Sequence, residues 1–189
     1  MISGANRGIG AAAAKAFAEA GWNVSLGMRA SVMPDWGNPE TAQVHAYDAL
    51  VPSSPHLWAT AARERFGRID AVVANAGVMI RKTVVEANDE EFAHLMEVIV
   101  NGLRRLVKAC WDQLIACGSG RVVIVASLSG KRVKSAISGS YSVSNLRRSV
   151  SLTPFVRRAS TRACVQRPCA PALSPPTWVC RSPAPGRML

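Results

Sequence analysis

Short apolar runs rich in β-branched residues alternate along the first three quarters of the chain with longer segments whose apolar positions recur every three to four residues. The short runs predict buried strands at residues 23–28, 43–47, 71–74 and 122–126. The longer segments predict helices at 11–20, 55–66, 89–98 and 102–116. Strand and helix in alternation over this length imply an α/β fold, a parallel sheet with crossover helices on both faces. In such sheets ligands sit at the carboxyl ends of the strands, so the loops after each strand are where chemistry is expected. The first strand is only Met1–Ser3, although it should be a central strand of several residues, and the start is therefore expected to be truncated.

Charge divides the chain unevenly. The 189 residues carry a formal net charge of +11, yet all 12 acids lie at or before Asp112. Residues 1–145 hold 15 Lys and Arg, whereas 146–189 hold eight Arg, no Lys and no acid. The same tail carries seven of the 11 prolines and three of the five cysteines, and proline at that density breaks helices and central strands. The reading is an incomplete α/β domain over residues 1–144 and a basic, Pro/Arg-rich tail over 145–189. No apolar run approaches the roughly 20 residues of a spanning helix, and the N-terminus lacks the pattern of a signal peptide, so a soluble, cytoplasmic protein without a membrane partner is expected. Five cysteines without paired C-x-x-C spacing argue against a disulfide framework and a structural zinc site, and His45, His56 and His94 are scattered, so no metal site is expected.

The stub of the first strand runs into Gly4-Ala5-Asn6-Arg7-Gly8-Ile9-Gly10, which opens an alanine-rich helix. Glycines suit such a turn because the backbone must bend tightly and approach a pyrophosphate, whose charge meets unpaired N–H groups and the positive helix end. The second strand ends Leu26-Gly27-Met28-Arg29, with no acid placed to accept from a ribose 2′-hydroxyl, while Arg7 and Arg29 suit a 2′-phosphate. That favours NADP over NAD, with NAD still open; the alternative is two solvated arginines.

The motifs then accumulate in order: the glycine-rich turn, Asp48 after the third strand, Asn75-Ala76-Gly77 after the fourth, Ser127 after the fifth, and Tyr141. Over residues 1–145 this set resembles the classical short-chain dehydrogenase/reductase family. The resemblance implies a doubly wound, Rossmann-like nucleotide-binding fold, here truncated at both ends, and a homo-oligomer in the intact family. It implies that Asp48 meets the adenine and that the Asn75-Ala76-Gly77 turn supports the central strand beside the cofactor. By themselves, Asp48 also suits a helix cap and Asn75-Ala76-Gly77 an ordinary turn. The implied chemistry moves a hydride between a nicotinamide and a carbonyl or secondary alcohol, with Tyr141 exchanging the proton and Ser127 orienting the substrate oxygen; Ser129 is the second candidate for the serine.

Two positions depart from the family pattern. The helix asparagine expected three residues before Gly102 is Ile99, and Asn101 is no substitute, because two residues along a helix rotate a side chain by about 200°. The lysine expected four residues after Tyr141 is Asn145. A free phenol has a pKa of about 10, and an uncharged amide cannot depress it. This second departure coincides with the compositional boundary. If a lysine codon AAG followed by TTT lost its last base, AAT TTG would give Asn145-Leu146 and an out-of-frame tail. Restoring the frame under GC-rich codon choices turns residues 146–153 into Phe-Ala-Ala-Val-Gly-Leu-Ala-His and residues 169–178 into Leu-Cys-Pro-Gly-Phe-Val-Ala-Thr-Asp-Met, which contains the family's P-G-x-x-x-T segment. The expectation is therefore a short-chain oxidoreductase acting on a small carbonyl or alcohol, with a frameshifted, disordered tail and impaired activity. The alternatives are a catalytically impaired nucleotide-binding remnant and a basic nucleic-acid arm; the lack of Lys and of a binding module in the tail argues against nucleic acid.

Overall fold

Five parallel strands lie in the order β3-β2-β1-β4-β5 in a computed structural model that describes residues 1–133 and 135–151. They are β1 (Ile2–Ser3), β2 (Val24–Met28), β3 (Ala42–Ala46), β4 (Ala71–Ala74) and β5 (Arg121–Ile124). The order runs outward from β1 in one direction through β2 and β3, and in the other through β4 and β5. The sheet is therefore doubly wound, as expected, with its switch point between β1 and β4. β1 is central yet has two residues, with Ile2 in register with Leu26 on one side and Val73 on the other. The ammonium of Met1 donates to the Ala71 carbonyl at 2.8 Å, and the Val73 N–H donates to the Met1 carbonyl at 2.8 Å, so the ladder starts at residue 1.

The strands alternate their side chains between two apolar clusters because β structure has a period of two. Val72 and Ala74 of β4 face the larger cluster with Tyr47, Trp58, Leu106, Cys110 and Leu114, whereas Val73 faces a smaller one with Ile2, Leu26 and Ala14. The larger cluster is roofed by α2 (Ser54–Phe66) and α4 (Leu103–Ala116), and the smaller by α1 (Gly8–Glu19). Local signals start and stop these helices. Pro55 sits in the first turn of α2 and Gly67 ends it in the left-handed region, while Asn88 and Glu91 form a reciprocal capping box at α3 (Asp89–Met96).

The predicted break between residues 98 and 102 is absent. The chain stays helical from α3 into α4 through a π turn at Glu97–Gly102, whose wider winding buries Val98, Ile99 and Gly102. A fifth helix, α5 (Gly139–Ser151), carries Tyr141 and runs across the compositional boundary. Its buried face is polar, made of Ser140, Ser142, Ser144, Asn145 and Arg148, so no hydrophobic stripe announces it. Ser142 and Ser144 turn their hydroxyls back onto the Ser138 and Tyr141 carbonyls at 2.7 and 2.8 Å. The disorder expected from residue 145 onward does not hold for 145–151, which continue α5, and the rest of the tail, 152–189, lies outside the described residues. Among the described residues, no helix is long and apolar enough to cross a membrane.

Trp58 is fully buried between α2 and the sheet, stacks on Tyr47 at 5.0 Å between ring centroids, and donates its indole N–H to Ser25 Oγ at 2.8 Å. Trp58→Ala is expected to lower the unfolding free energy by about 3–5 kcal/mol in urea titrations. Trp58→Phe, which keeps an aromatic ring there, should cost clearly less.

Candidate functional site

Every residue singled out from the loops stands at one edge of the sheet, where the parallel strands end. Gly4 to Gly10 follow β1, Arg29 follows β2, Asp48 follows β3, Asn75-Ala76-Gly77 follow β4, and Ser127 follows β5. That convergence is a consequence of parallel pairing, because all carboxyl ends of such a sheet lie on the same side.

The glycine-rich turn is shaped by contact on one side and by openness on the other. Gly4 and Gly8 have φ of +68° and +59°, the left-handed region that a side chain disfavours. A Cβ on Gly10 would collide with the Gly4 carbonyl and the Asn75 amide, so α1 enters directly against the turn. Around Gly8, by contrast, the same construction meets nothing within 4 Å. Asn6, Arg7, Gly8 and Ile9 are exposed there, and Arg29 is exposed at the end of β2. Arg7 is the N-cap of α1 and its side chain makes no capping hydrogen bond. A bare, cationic backbone turn at a helix N-terminus has the shape and charge that a phosphate-bearing group fits.

Asn75 fastens this turn to the sheet. Its side-chain amide donates to the Ser3 and Gly4 carbonyls, each at 3.1 Å, and its backbone N–H and that of Ala76 donate to Ser3 Oγ at 3.0 and 3.1 Å. Ser3 was not among the residues singled out from the sequence; a hydroxyl in the middle of an apolar strand is the signal that marks it. Asp48 does not cap a helix: its Oδ1 accepts from the Leu50 N–H at 2.9 Å in a tight turn, six residues before α2 begins.

Asn145 bonds backbone groups of both Ser127 and Tyr141. The Asn145 amide donates to the Tyr141 carbonyl at 3.0 Å, and its oxygen accepts the Ser127 N–H at 3.3 Å. The hydroxyl of Ser127 accepts the Ser129 N–H at 3.1 Å, which leaves its own proton to donate and makes Ser129 a backbone partner of the site. Tyr141 is half-buried. The chain's other tyrosine, Tyr47, is buried, and that burial pushes its phenol up to about 12, so it stays neutral over the physiological range. Asn101 is kept out of the site: its amide donates to Glu97 Oε2 at 2.5 Å, and the same carboxylate pairs with Arg105. The Asn101 amide, followed by Arg105, holds the Glu97 carboxyl below the usual carboxylate range. Ile99, at the position the sequence flagged, is buried and offers no polar group.

One side chain at this edge was assigned only to the tail. Arg148 of α5 is 3% exposed, and its guanidinium donates to the carbonyls of Ala76, at 3.1 Å, and of Ala74. Burial pushes it down to about 10, opposed by Tyr141 and Tyr47, so it remains a cation at neutral pH.

A profile of the family described as short chain dehydrogenase matches residues 1–146. Agropine synthesis reductase of Rhizobium rhizogenes is 35% identical over 144 residues, which cover 74% of this chain and 33% of that protein. Oxidoreductase UcpA of Escherichia coli is 29% identical over 138 residues, covering 70% of this chain and 52% of that one. The chain thus spans about a third to a half of the length of the curated relatives it matches. An alcohol dehydrogenase from the archaeon Thermococcus sibiricus, solved with 5-hydroxy-NADP, superposes with a TM-score of 0.75 at 30% identity, covering 84% of this chain and 69% of that one. A metagenomic short-chain oxidoreductase solved with NADP gives 0.75 at 27% identity, with coverage of 82% and 73%.

Asn75→Ala removes the donor for two carbonyls at the switch point, and a buried polar group left without a partner costs about 1–3 kcal/mol. A loss of that size is expected in urea titrations, and a larger one for Asn75→Asp, which sets a carboxylate against the same carbonyl oxygens.

Proposed function

Because the chain belongs to the short-chain dehydrogenase/reductase family, we propose that it is an oxidoreductase that moves a hydride between NADP(H) and a small carbonyl compound or secondary alcohol. The observation that carries the reading is that the loop of Ser127 and the helix of Tyr141, joined through Asn145, stand at the same sheet edge as the open glycine-rich turn.

The turn at Gly4 to Gly10 would hold the pyrophosphate through backbone N–H groups, Asp48 would meet the adenine, and the Asn75-Ala76-Gly77 turn would support the central strand beside the cofactor. When bound, the nicotinamide supplies or accepts the hydride. Ser127 donates its hydroxyl proton to the substrate oxygen and fixes its direction. Tyr141 gives its phenolic proton to that oxygen as the carbonyl becomes an alcohol, and takes one back in the reverse direction. Asn145 holds both residues in register, but it brings no charge, so proton exchange at Tyr141 is left without the cation that the family's lysine would bring. Slow turnover is the consequence.

The preference for NADP rests on Arg7 and Arg29, both exposed at the cofactor edge, and on β2 ending in Met28-Arg29 rather than in an acid. Structural neighbours solved with NADP, 5-hydroxy-NADP or NAD support a nicotinamide cofactor without deciding between the two. Calorimetric titration should give tighter binding of NADPH than of NADH, and Arg29→Ala should weaken NADPH by about tenfold while leaving NADH nearly unchanged. Equal affinities, or no effect of the substitution, would refute the preference.

A second measurement separates point damage from frame damage at codon 145. Tuning a general acid or base is worth roughly 10²–10⁴-fold in rate. Asn145→Lys alone is nonetheless expected to recover little carbonyl-dependent NADPH oxidation, because it breaks both Asn145 hydrogen bonds and buries a second cation three residues from Arg148. Reinserting one base at codon 145 restores the lysine and replaces Arg148 by Ala, and that protein should be the active one, still handicapped by Ile99. Full rescue by Asn145→Lys alone would disprove the lost-frame account.

A further inference from the structure

Arg148 lies seven residues after Tyr141, two helical turns along the same face of α5. Its guanidinium does not reach solvent; it is directed at the end of β4, where it spans the carbonyls on either side of Asn75. Nη1 is also near Gly77, where an added Cβ would stand 3.5 Å away. From the opposite side, Ser3 Oγ takes the N–H groups of Asn75 and Ala76. The turn is thus gripped through its donors by β1 and through its acceptors by α5. The groups that act on the guanidinium are Tyr141 on its own helix and Tyr47 after β3, with Asp48, Arg105 and Cys110 acting in turn on Tyr47. A buried guanidinium is costly, and carbonyl oxygens offset that cost only where the geometry holds them fixed.

We propose that Arg148 is a positioning residue of the cofactor site: it ties the Asn75-Ala76-Gly77 turn to the helix that carries Tyr141, so that the dinucleotide cradle and the proton-exchanging hydroxyl keep one relative placement. In naming the dinucleotide, this rests on the function proposed above.

Two readouts on the full chain test it. Hydrogen exchange in the absence of any cofactor reads the turn itself: Arg148→Met should speed exchange of the Asn75 and Ala76 amides about tenfold relative to those of β2, since a hydrogen bond to a charged group is lost at each carbonyl. Arg148→Lys, which keeps the charge and its donors, should speed it less. Uniform acceleration in β2 and β4, or none at Asn75 and Ala76, would overturn the proposal. In calorimetry with NADPH, Arg148→Met should raise the Kd about tenfold at unchanged stoichiometry. A fall in stoichiometry at unchanged Kd, the mark of lost folded protein alone, would overturn it as well. Failure of the unsubstituted chain to bind NADPH would count against the cofactor reading, and hydrogen exchange would still decide the role of Arg148.

Discussion

A parallel sheet must satisfy the backbone groups that its ladder abandons where the strands stop, and at the switch point between β1 and β4 that constraint organises the rest of the molecule. Neighbouring chains diverge there, so side chains have to replace the missing ladder partners. Ser3 supplies an acceptor for two N–H groups, Asn75 supplies donors for two carbonyls, and Arg148 supplies donors for two more. The glycine-rich turn, the turn after β4 and the helix of Tyr141 meet because each is held by one of these substitutes. The solvent side of the glycine turn, from Asn6 to Ile9, stays exposed, and it is there that an anionic group would fit.

The half of the edge that carries Ser127 and Tyr141 follows the same logic with a different outcome. Asn145 links the Ser127 and Tyr141 backbones by two hydrogen bonds, so a connection is made at a position where no charge is supplied. Hydrogen bonding and electrostatics are separable here because an amide matches the reach of the bonds but brings no field. The buried cation of this helix, Arg148, is directed at carbonyl oxygens of Ala74 at the end of β4 and Ala76 just after it. The π turn works in parallel: it keeps the chain helical across Glu97–Gly102 and buries Ile99, while Asn101 is bonded to Glu97, which also pairs with Arg105. In the proposed reaction, Tyr141 would lack both the charge and the amide that the family pattern places nearby.

The sequence by itself determined the α/β class, the strands to within a residue or two, and the edge at which the site lies. Period-two and period-3.6 patterns report burial directly, and parallel pairing leaves no choice about where the loops converge. Gly4, Gly8 and Gly10 were legible from the needs of a tight strand-to-helix turn, whereas Asn75 and Tyr141 were indicated only by the family resemblance. The π turn was not legible, because the apolar pattern on either side reads equally as two helices with a break. Nor was the inward face of α5, where serines, Asn145 and Arg148 stand in for an apolar stripe. Whether those polar groups are buried, and what they bond, depends on carbonyls and amides of β1, β4 and the loop after β5, some 70 residues away along the chain in the case of Arg148. Tertiary structure alone decided that Arg148, a basic residue of a basic tail by sequence, is an interior donor at the switch point. A long-range hydrogen bond leaves no periodic trace in the chain that makes it.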